Sequence, residues 1–179
     1  MQNTLMAALR GLTPRMAGTS FRDRSVACLG AFIGIGITGL ISGWAVGNPE
    51  HLPLLVAPLG ASAVLLFAVP ASPLAQPWSI IGGNTISALV GIAVAHVVPD
   101  KALAAAMAVA AAIAMMSLLR CLHPPGGAAS LLAVLGGPAA ASFNFGFAFM
   151  PVALNSILLV ILGVIFHRIS KHSYPHKPK

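Results

Sequence analysis

The stretch from Arg120 to Ser130 concentrates the polar and conformationally special residues of an otherwise apolar chain. It reads Arg-Cys-Leu-His-Pro-Pro-Gly-Gly-Ala-Ala-Ser, so a guanidinium, an imidazole, two prolines and two glycines lie close together. A residue before proline is disfavoured in the α region, whereas proline itself is tolerated in the first helical turn. The stretch therefore predicts a helix that ends near Arg120, an extended link, and a new helix that begins at Pro125.

The start of this predicted helix has the properties of an anion-binding site. Backbone N–H groups in a first helical turn lack intrahelical partners, and the helix dipole places positive charge there. The candidate donors are the amides of Gly126 and Gly127, the hydroxyl of Ser130 and the imidazole of His123. The alternative is that His123 only packs and hydrogen-bonds at the kink, and that the serine bonds a backbone carbonyl one turn back.

A similar proline–glycine segment lies 66 residues earlier in the chain. Residues 58–66 match residues 124–132 at a proline, a glycine, an alanine and two leucines. The match predicts a second extended link, over residues 52–57, followed by a second half-helix. Its candidate donors are the amides of Gly60 and Ala61 and the hydroxyl of Ser62, with the same alternative for the serine.

Two asparagines extend this match into an internal repeat. Asn84 and His96 are twelve residues apart, as are Asn155 and His167. The asparagines could supply side-chain amides to the site or serve as hydrogen-bonding contacts between helices. Each copy would hold three apolar segments, and an odd number inverts the second copy relative to the first. The predicted segments are 26–46, 52–69 and 78–98 in the first copy (26–98), and 102–119, 124–137 and 146–168 in the second (102–168).

The composition assigns these segments to a membrane. Of the 179 residues, 58% are hydrophobic and only 7% are charged, and several apolar windows are long enough to span a bilayer. We expect an all-α polytopic membrane protein with one transmembrane domain, 25–169, between a basic leader, 1–24, and a basic tail, 170–179. The histidines of the C-terminal region, His167, His172 and His176, are interpreted as solvated.

The basic residues indicate topology. The net charge of +7 lies mostly at the two chain ends, so it does not predict a nucleic-acid partner. If both termini are cytoplasmic, nine of the ten lysines and arginines lie inside and only Lys101 lies outside. Six full spans and four spans with two re-entrant segments give the same charge count. Arg120 would lie at the cytoplasmic mouth, where it would attract anions.

The predicted site lies near the bilayer centre. Each half-helix of about eleven residues covers about 16 Å, which is roughly half of the hydrocarbon thickness. The three acidic residues, Asp23, Glu50 and Asp100, lie at segment ends or in loops, so a cation site is not predicted. No catalytic or metal-ligand spacing is recognisable, so we expect no enzyme activity, cofactor or metal.

These residues predict a transporter or channel for a small monovalent anion. Two alternatives remain open: a channel for a neutral small solute or weak acid, and a membrane scaffold or sensor without transport. The expected partners are the anion, the lipid bilayer and a second copy of the chain. That homo-oligomer would pack through the glycine-rich first helix, whose glycines at 30, 34, 39, 43 and 47 could equally serve internal packing.

The triplet His123-Pro124-Pro125 resembles the signature of the HPP family of integral membrane proteins, which is named for it. The resemblance covers about residues 20–168 and includes Arg120 and residues 58–62, 72–77, 82–84 and 87–88. It implies a four-span protein and, from some plant chloroplast and cyanobacterial members, nitrite as the anion. The short tail resembles the stand-alone bacterial form without CBS domains, which implies the bacterial inner membrane.

Overall fold

In the part of the chain that the structure describes, six α-helices form a bundle, and successive helices run in opposite directions between its two ends. The structure is a computed structural model that describes residues 20–46, 52–136 and 144–176. No β-strand occurs in these ranges, so the predicted all-α class is confirmed. The helices are α1 (Phe21–Val46), α2 (Leu52–Ala68), α3 (Pro77–Val97), α4 (Lys101–Leu118), α5 (Pro124–Leu135) and α6 (Leu154–Ile169), which a π-helical turn (Ala148–Ala153) precedes.

Four helical segments of the described ranges are long and apolar enough to cross a membrane. They are Phe21–Trp44, Pro77–Val97, Lys101–Leu118 and Ala148–Ile169. The shorter α5 still extends across the bundle. Just before its first residue, His123 bonds the Leu74 carbonyl in the loop before α3, and near its last residue the Val134 carbonyl accepts from Lys101 Nζ at 3.3 Å.

One end of the bundle carries five of the six described lysines and arginines. We name it the basic end; its cations are Arg22, Arg24, Arg120, Arg168 and Lys171. Trp78 Nε1 donates to the Leu119 carbonyl at 3.1 Å and ties the start of α3 to the end of α4 there. The remaining cation, Lys101, marks the opposite end. The segregation of charge along the bundle therefore follows the sequence prediction.

Small residues let the central helices approach closely. A Cβ atom at Gly91 of α3 would lie 2.6 Å from the Ser130 carbonyl oxygen of α5, and one at Gly126 would lie 2.6 Å from Ser87 Oγ. The buried face of α4 is formed by Ala104, Ala108, Ala112 and Met116 at four-residue spacing. Close packing through small side chains is typical of helices in membranes.

The glycines of α1 have two different environments. A Cβ atom at Gly30 or Gly34 would lie 2.5 or 2.8 Å from the ring of Phe67, so both serve packing inside the chain. At Gly36 and Gly39 it would meet nothing within 4 Å, so that face is open. Association of two copies through the open face stays a prediction.

The extended link predicted over residues 52–57 is wrong. Helix α2 is continuous from Leu52 to Ala68 and contains Pro58. A proline inside a helix removes one backbone hydrogen bond, and the flanking leucine and alanine residues favour helix strongly enough to continue it. The amides of Gly60 and Ala61 therefore lie in a helix interior and are not terminal donors.

The second link is present, and its predicted position near the bilayer centre stays a prediction. Residues 121–123 are not helical, and α5 begins at Pro124, one residue before its predicted start. A Cβ atom at Gly83 would lie 2.5 Å from His123 Cβ, and Gly83 is the seventh of the 21 residues of α3. At 1.5 Å per residue, Gly83 lies about 9 Å from the start of α3 and about 6 Å from its midpoint, residue 87, so the link lies between the basic end and the middle of α3.

Residues 170–176 fold back onto the basic end. Tyr174 is buried, and its hydroxyl donates to the Ala75 carbonyl at 2.8 Å. Burial raises the pKa of Tyr174, so this hydroxyl keeps its proton. The interpretation of His167 as a solvated residue is wrong: it is 3% exposed, because Phe67 and Tyr174 stack against its ring.

Candidate functional site

Four polar side chains form a continuous hydrogen-bonded chain inside the bundle. They are His123 in the link before α5, Ser62 of α2, Asn84 of α3 and Ser156 of α6, and we name this set the polar chain. Each of the four is at most 1% exposed. The polar chain therefore joins four elements that are far apart in sequence.

The imidazole of His123 has a partner on each ring nitrogen. Nδ1 lies 2.7 Å from the Leu74 carbonyl oxygen, which can only accept, so Nδ1 carries the proton and donates. In the neutral ring, Nε2 then accepts from the Ser62 hydroxyl, whose Oγ is 2.8 Å away. Because both nitrogens are occupied, His123 positions Ser62 and has no free nitrogen for a ligand. The arrangement agrees with the hydrogen-bonding alternative for His123.

A short 3₁₀ turn, Pro73–Ala75, presents the carbonyl that binds His123. The Ser72 hydroxyl caps this turn by accepting from the Leu74 N–H at 3.2 Å. The Tyr174 hydroxyl holds the other side of the turn through the Ala75 carbonyl. The loop is thus fixed by its own cap and by the C-terminal residues, which makes the Leu74 carbonyl a fixed acceptor for Nδ1.

Asn84 connects Ser62 to a small cavity. Its Nδ2 donates to Ser62 Oγ and to Ser156 Oγ, each at 3.2 Å. Asn84 and Ser156 line a cavity of about 20 Å³, which is enough for one water molecule. The Oδ1 atom of Asn84 has no hydrogen-bond partner among the described residues. The rest of the lining is apolar: Pro58, Leu59, Ala129, Leu132, Phe147 and Val152.

The amide donors predicted at the start of α5 are mostly unavailable. Pro124 and Pro125 occupy the first two helical positions and have no N–H. The Gly126 N–H donates to the His123 carbonyl at 2.9 Å. Gly127 is partly exposed, and a Cβ atom there would meet nothing within 4 Å, so it does not pack against the polar chain. The dipole of α5 remains, but its best-placed donor is already bonded.

The two predicted serines differ in role. Ser130 Oγ donates to the Gly127 carbonyl at 2.9 Å, as the alternative for that residue stated. Ser62 Oγ also lies within reach of a carbonyl one turn back, 3.1 Å from the Pro58 oxygen. Only Ser62 makes bonds to other elements in addition. The structure therefore includes Ser62 in the polar chain and leaves Ser130 outside it.

Asn155 does not join the polar chain. It is 1% exposed, and neither atom of its amide has a partner among the described residues. One turn further along α6, Leu159 Cδ1 lies 3.3 Å from a Cβ atom built at Gly34, so this face of α6 packs against α1. Thr38 and Ser42 of α1 are also buried, and their hydroxyls have no hydrogen-bond partner within the described ranges. No hydrogen bond among the described residues connects this second polar group to His123.

Arg120 lies at the basic end and outside the buried site. It is exposed in the turn after α4, with a φ of 55°, and precedes His123 by three residues. A non-glycine residue rarely adopts this left-handed conformation, which here ends α4 and directs the chain into the link. The predicted position at the mouth fits this placement, and its effect on anions stays a prediction.

Sequence reasoning missed Ser156 and the Leu74 carbonyl. Ser156 follows Asn155 directly, and the repeat pairs Asn84-Thr85 with Asn155-Ser156, so this short pair was a usable signal. Which of its two residues faces Asn84 depends on the rotation of α6, and that is set by packing on α1. The Leu74 carbonyl carries no side-chain signal, since any residue has this acceptor.

The polar chain offers uncharged donors and acceptors in an apolar surrounding. Such a group can hold a small polar solute or water, but it cannot neutralise a fixed charge. A buried polar group without partners costs roughly 1–3 kcal/mol, so an unpaired Asn84 oxygen at a cavity favours an occupant that donates a hydrogen bond.

Comparisons with known proteins agree with this membrane architecture. The family model for the HPP transmembrane region matches residues 16–175. Two transmembrane proteins of Dictyostelium discoideum are each 34% identical over 152 residues, which is 82% of this chain and 53% or 48% of theirs. The chain thus spans about half the length of these relatives. No solved structure matches it with statistical significance. The match over nearly the whole chain shows that the protein belongs to the HPP transmembrane family.

Proposed function

We propose that the protein is a membrane transporter or channel for a small monovalent anion, with nitrite as the first candidate. The observation that carries the proposal is the polar chain and its cavity, buried between α2, α3, α5 and α6. Polar side chains inside a membrane bundle are costly and face a bundle interior or a solute pathway. Nitrite itself comes from the family resemblance and not from the geometry.

The cavity corresponds to a closed form of such a pathway. Its volume of about 20 Å³ accepts one water but not a solute of three heavy atoms, so transport requires widening. The neighbouring backbone has a break suited to this movement. Met150, just before Pro151, has non-helical angles of φ −125° and ψ 103°. Interrupted helices of this kind are common at functional sites.

A second candidate is transport of a neutral solute or of the weak acid in its protonated form. The polar chain has no charged member, and the prolines remove two amides that an anion would need. The cavity combines an acceptor, Asn84 Oδ1, with the Ser156 hydroxyl, and this pair suits a molecule that both donates and accepts. Nitrous acid has both functions, whereas nitrite can only accept.

Flux through proteoliposomes tests both candidates and the scaffold alternative. Nitrite entry is measured at a pH well above the pKa of nitrous acid, with a potassium gradient and an ionophore setting the voltage. Protein-free liposomes are subtracted, because nitrous acid crosses lipid unaided. A flux that follows the voltage supports the anion. A flux indifferent to voltage supports the neutral form, and no flux for any small solute supports a scaffold or sensor.

Ser156→Ala provides the site-specific arm of this test. It removes a hydroxyl that lines the cavity, so we expect a flux reduction of about tenfold, comparable with the loss of one hydrogen bond to a bound solute. Ser130→Ala is the matched control, since that hydroxyl bonds only the Gly127 carbonyl. Equal flux in both variants would show that the solute does not pass the polar chain.

The topology of the proposal follows the charges. We propose that the basic end faces the cytoplasm of a bacterial inner membrane and that the two groups of three helices form an inverted repeat. The alternating direction of successive helices supports the inversion. Cysteine labelling of intact cells at Ser170→Cys and Asp100→Cys tests the orientation, with label expected only at position 100 unless the cells are permeabilised.

A further inference from the structure

A second and much larger cavity lies at the basic end. Its volume is about 470 Å³, within the range of small-molecule sites. Part of the lining is apolar and is named the apolar wall: residues 26–27 of α1 and 67–70 at the end of α2. The rest of the lining is polar and is named the polar wall: Asp23, Arg24, His167 and His172. The polar chain contributes no residue to it, so this cavity is a separate site.

His167 lines this cavity and keeps one ring nitrogen without a hydrogen bond among the described residues. The residue is 3% exposed, and its Nε2 donates to the Leu66 carbonyl at 2.8 Å. The other nitrogen, Nδ1, is buried without a partner among the described residues. A neutral ring with its proton on Nε2 leaves Nδ1 as an acceptor. A ligand hydroxyl would satisfy that acceptor and relieve the desolvation cost of an unpartnered nitrogen.

The charges around the cavity favour an anionic ligand. Asp23 is the only acidic lining residue, and it is engaged by Ser20 through its N–H at 3.1 Å and its hydroxyl at 2.8 Å. The carboxylate also lies 3.8 Å from His172 Nε2. Arg24 lines the same cavity, and Arg22, Arg168 and Lys171 lie at the same end of the bundle. The local field is therefore positive.

The position of the cavity selects an amphipathic ligand. It lies at the level where the helices end, and the Trp78 indole at this end is placed as interfacial tryptophans are. The outer surface of α1 is strongly apolar, with Phe32 79% exposed, so we expect lipid against it. A molecule with an anionic head and an apolar chain would use both walls at once, whereas a free phosphate would leave the apolar wall uncovered.

We propose that this cavity binds an anionic phospholipid with a polyol headgroup, such as phosphatidylglycerol. Arg24 and His172 hold the phosphodiester. A headgroup hydroxyl donates to His167 Nδ1, and the first part of an acyl chain lies along Ala27 and Ala68. The same site would fix α1, α2 and the C-terminal residues relative to one another, because all three contribute to its walls.

Lipid retention measured by native mass spectrometry tests the proposal. The full chain is reconstituted in phosphatidylcholine containing one-fifth phosphatidylglycerol, or one-fifth phosphatidylethanol, and is then extracted in mild detergent. Phosphatidylethanol has the same phosphodiester charge but no headgroup hydroxyl. We expect one phosphatidylglycerol per chain, about tenfold weaker retention of phosphatidylethanol, and no stoichiometric phosphatidylcholine. Equal retention of the three lipids would overturn the proposal.

Variants separate the site from general attraction to the basic end. Arg24→Gln should lower phosphatidylglycerol retention about tenfold. Arg168→Gln removes the same charge at the same end without touching the cavity and should change retention less than twofold. Ala68→Leu fills the apolar wall without altering charge and should also displace the lipid. An equal loss in Arg24→Gln and Arg168→Gln would show diffuse binding and would contradict the assignment.

A soluble competitor distinguishes a lipid from a free phosphate ester. Glycerol 3-phosphate in large excess supplies the phosphate and the hydroxyls without an acyl chain. We expect it to leave the bound lipid in place. Displacement of the lipid by bound glycerol 3-phosphate would assign the site to a soluble phosphate ester and would overturn the lipid proposal.

Discussion

The two proline–glycine segments match in sequence and differ in structure. Residues 58–66 lie inside a continuous helix, whereas residues 124–132 begin a new helix after an extended link. The position before the first proline differs as well. Ala57 is exposed, whereas His123 is fully buried and bonded through both ring nitrogens.

This difference shows what an extended link requires inside a bundle. Leaving the helix exposes backbone and side-chain polar groups that must find partners where water is scarce. The link at 121–123 finds them: His123 reaches Leu74 and Ser62, and the Cys121 N–H donates to the Met116 carbonyl at 2.9 Å. Residues 52–57 are apolar and have no polar side chain that could bond exposed backbone groups. A helix satisfies their backbone N–H and carbonyl groups internally, so the segment stays helical.

Among the substitutions that test this contrast, replacing His123 should change the free energy of unfolding most. In His123→Ala the Leu74 carbonyl and Ser62 each lose a partner and a buried ring is lost, so we expect a destabilisation of about 3 kcal/mol. Thermal unfolding in detergent micelles measures it. The control, Ala57→His at the matching position, should change stability by less than about 0.5 kcal/mol, because that side chain is exposed. Similar losses of stability at both positions would mean that residues 57 and 123 have equivalent roles in the fold.

If His123→Ala does not yield folded protein, His123→Asn provides the measurement. Its amide can still donate to one of the two partners, so we expect a smaller loss, of about 1–2 kcal/mol.

The glycines at matching positions of the two segments, Gly60 and Gly126, test the same contrast. Gly126→Ala would place a Cβ atom 2.6 Å from Ser87 Oγ and 2.8 Å from the Gly83 carbonyl, whereas Gly60→Ala would meet nothing within 4 Å. We expect Gly126→Ala to destabilise by about 2 kcal/mol through overpacking. Gly60→Ala should be neutral or stabilise by about 0.5 kcal/mol through helix propensity. The same unfolding assay ranks them, and a reversed order would contradict the packing of α5.

The two serines give a moderate effect. Ser62→Ala removes bonds to His123 and Asn84 and should destabilise by about 1–2 kcal/mol. Ser130→Ala removes one local bond to a carbonyl of its own helix and should change stability by less than about 0.5 kcal/mol. Comparing the unfolding midpoints of the two variants in one detergent shows whether the bonds from Ser62 to other elements stabilise the fold more than a bond within one helix does. Equal values would argue that Ser62 also serves only its own helix.

Arg120 should give the smallest effect, because it is exposed and outside the polar chain. If the proposed transport is correct, Arg120→Gln should lower anion uptake from the basic end about threefold at low substrate and low salt, by reducing local anion concentration. Salt should abolish the difference, since exposed charges are screened beyond roughly 10 Å at 0.1 M. Lys101→Gln, at the opposite end, is the control. A loss that persists at saturating substrate and high salt would place Arg120 in the pathway itself.

Local patterns predicted the helices well, because each apolar segment carries its own signal. Four of the six predicted segments begin and end within two residues of the observed helices. Helix α1 starts at Phe21, ahead of its predicted start at 26, and α6 starts at Leu154, after its predicted start at 146, because a π-helical turn precedes it. The site was predicted less completely. Ser62, Asn84 and His123 lie together in the polar chain, and their binding of a solute stays a prediction. Gly60, Ala61 and Asn155 lie outside the polar chain, because the continuity of α2 and the rotation of α6 depend on neighbouring helices.

The sequence by itself determined the apolar all-helical class, the segregation of charge to one end and the break before α5. These follow from hydrophobic content, from the distribution of arginine and lysine, and from the backbone restrictions of two successive prolines. Only the tertiary structure decided which polar atoms are free. The Gly126 amide is bonded to the His123 carbonyl, both His123 nitrogens are occupied, and the Asn84 oxygen and His167 Nδ1 have no partner among the residues that the structure describes. Hydrogen-bond satisfaction is a property of three-dimensional neighbours, so residue type alone does not fix it.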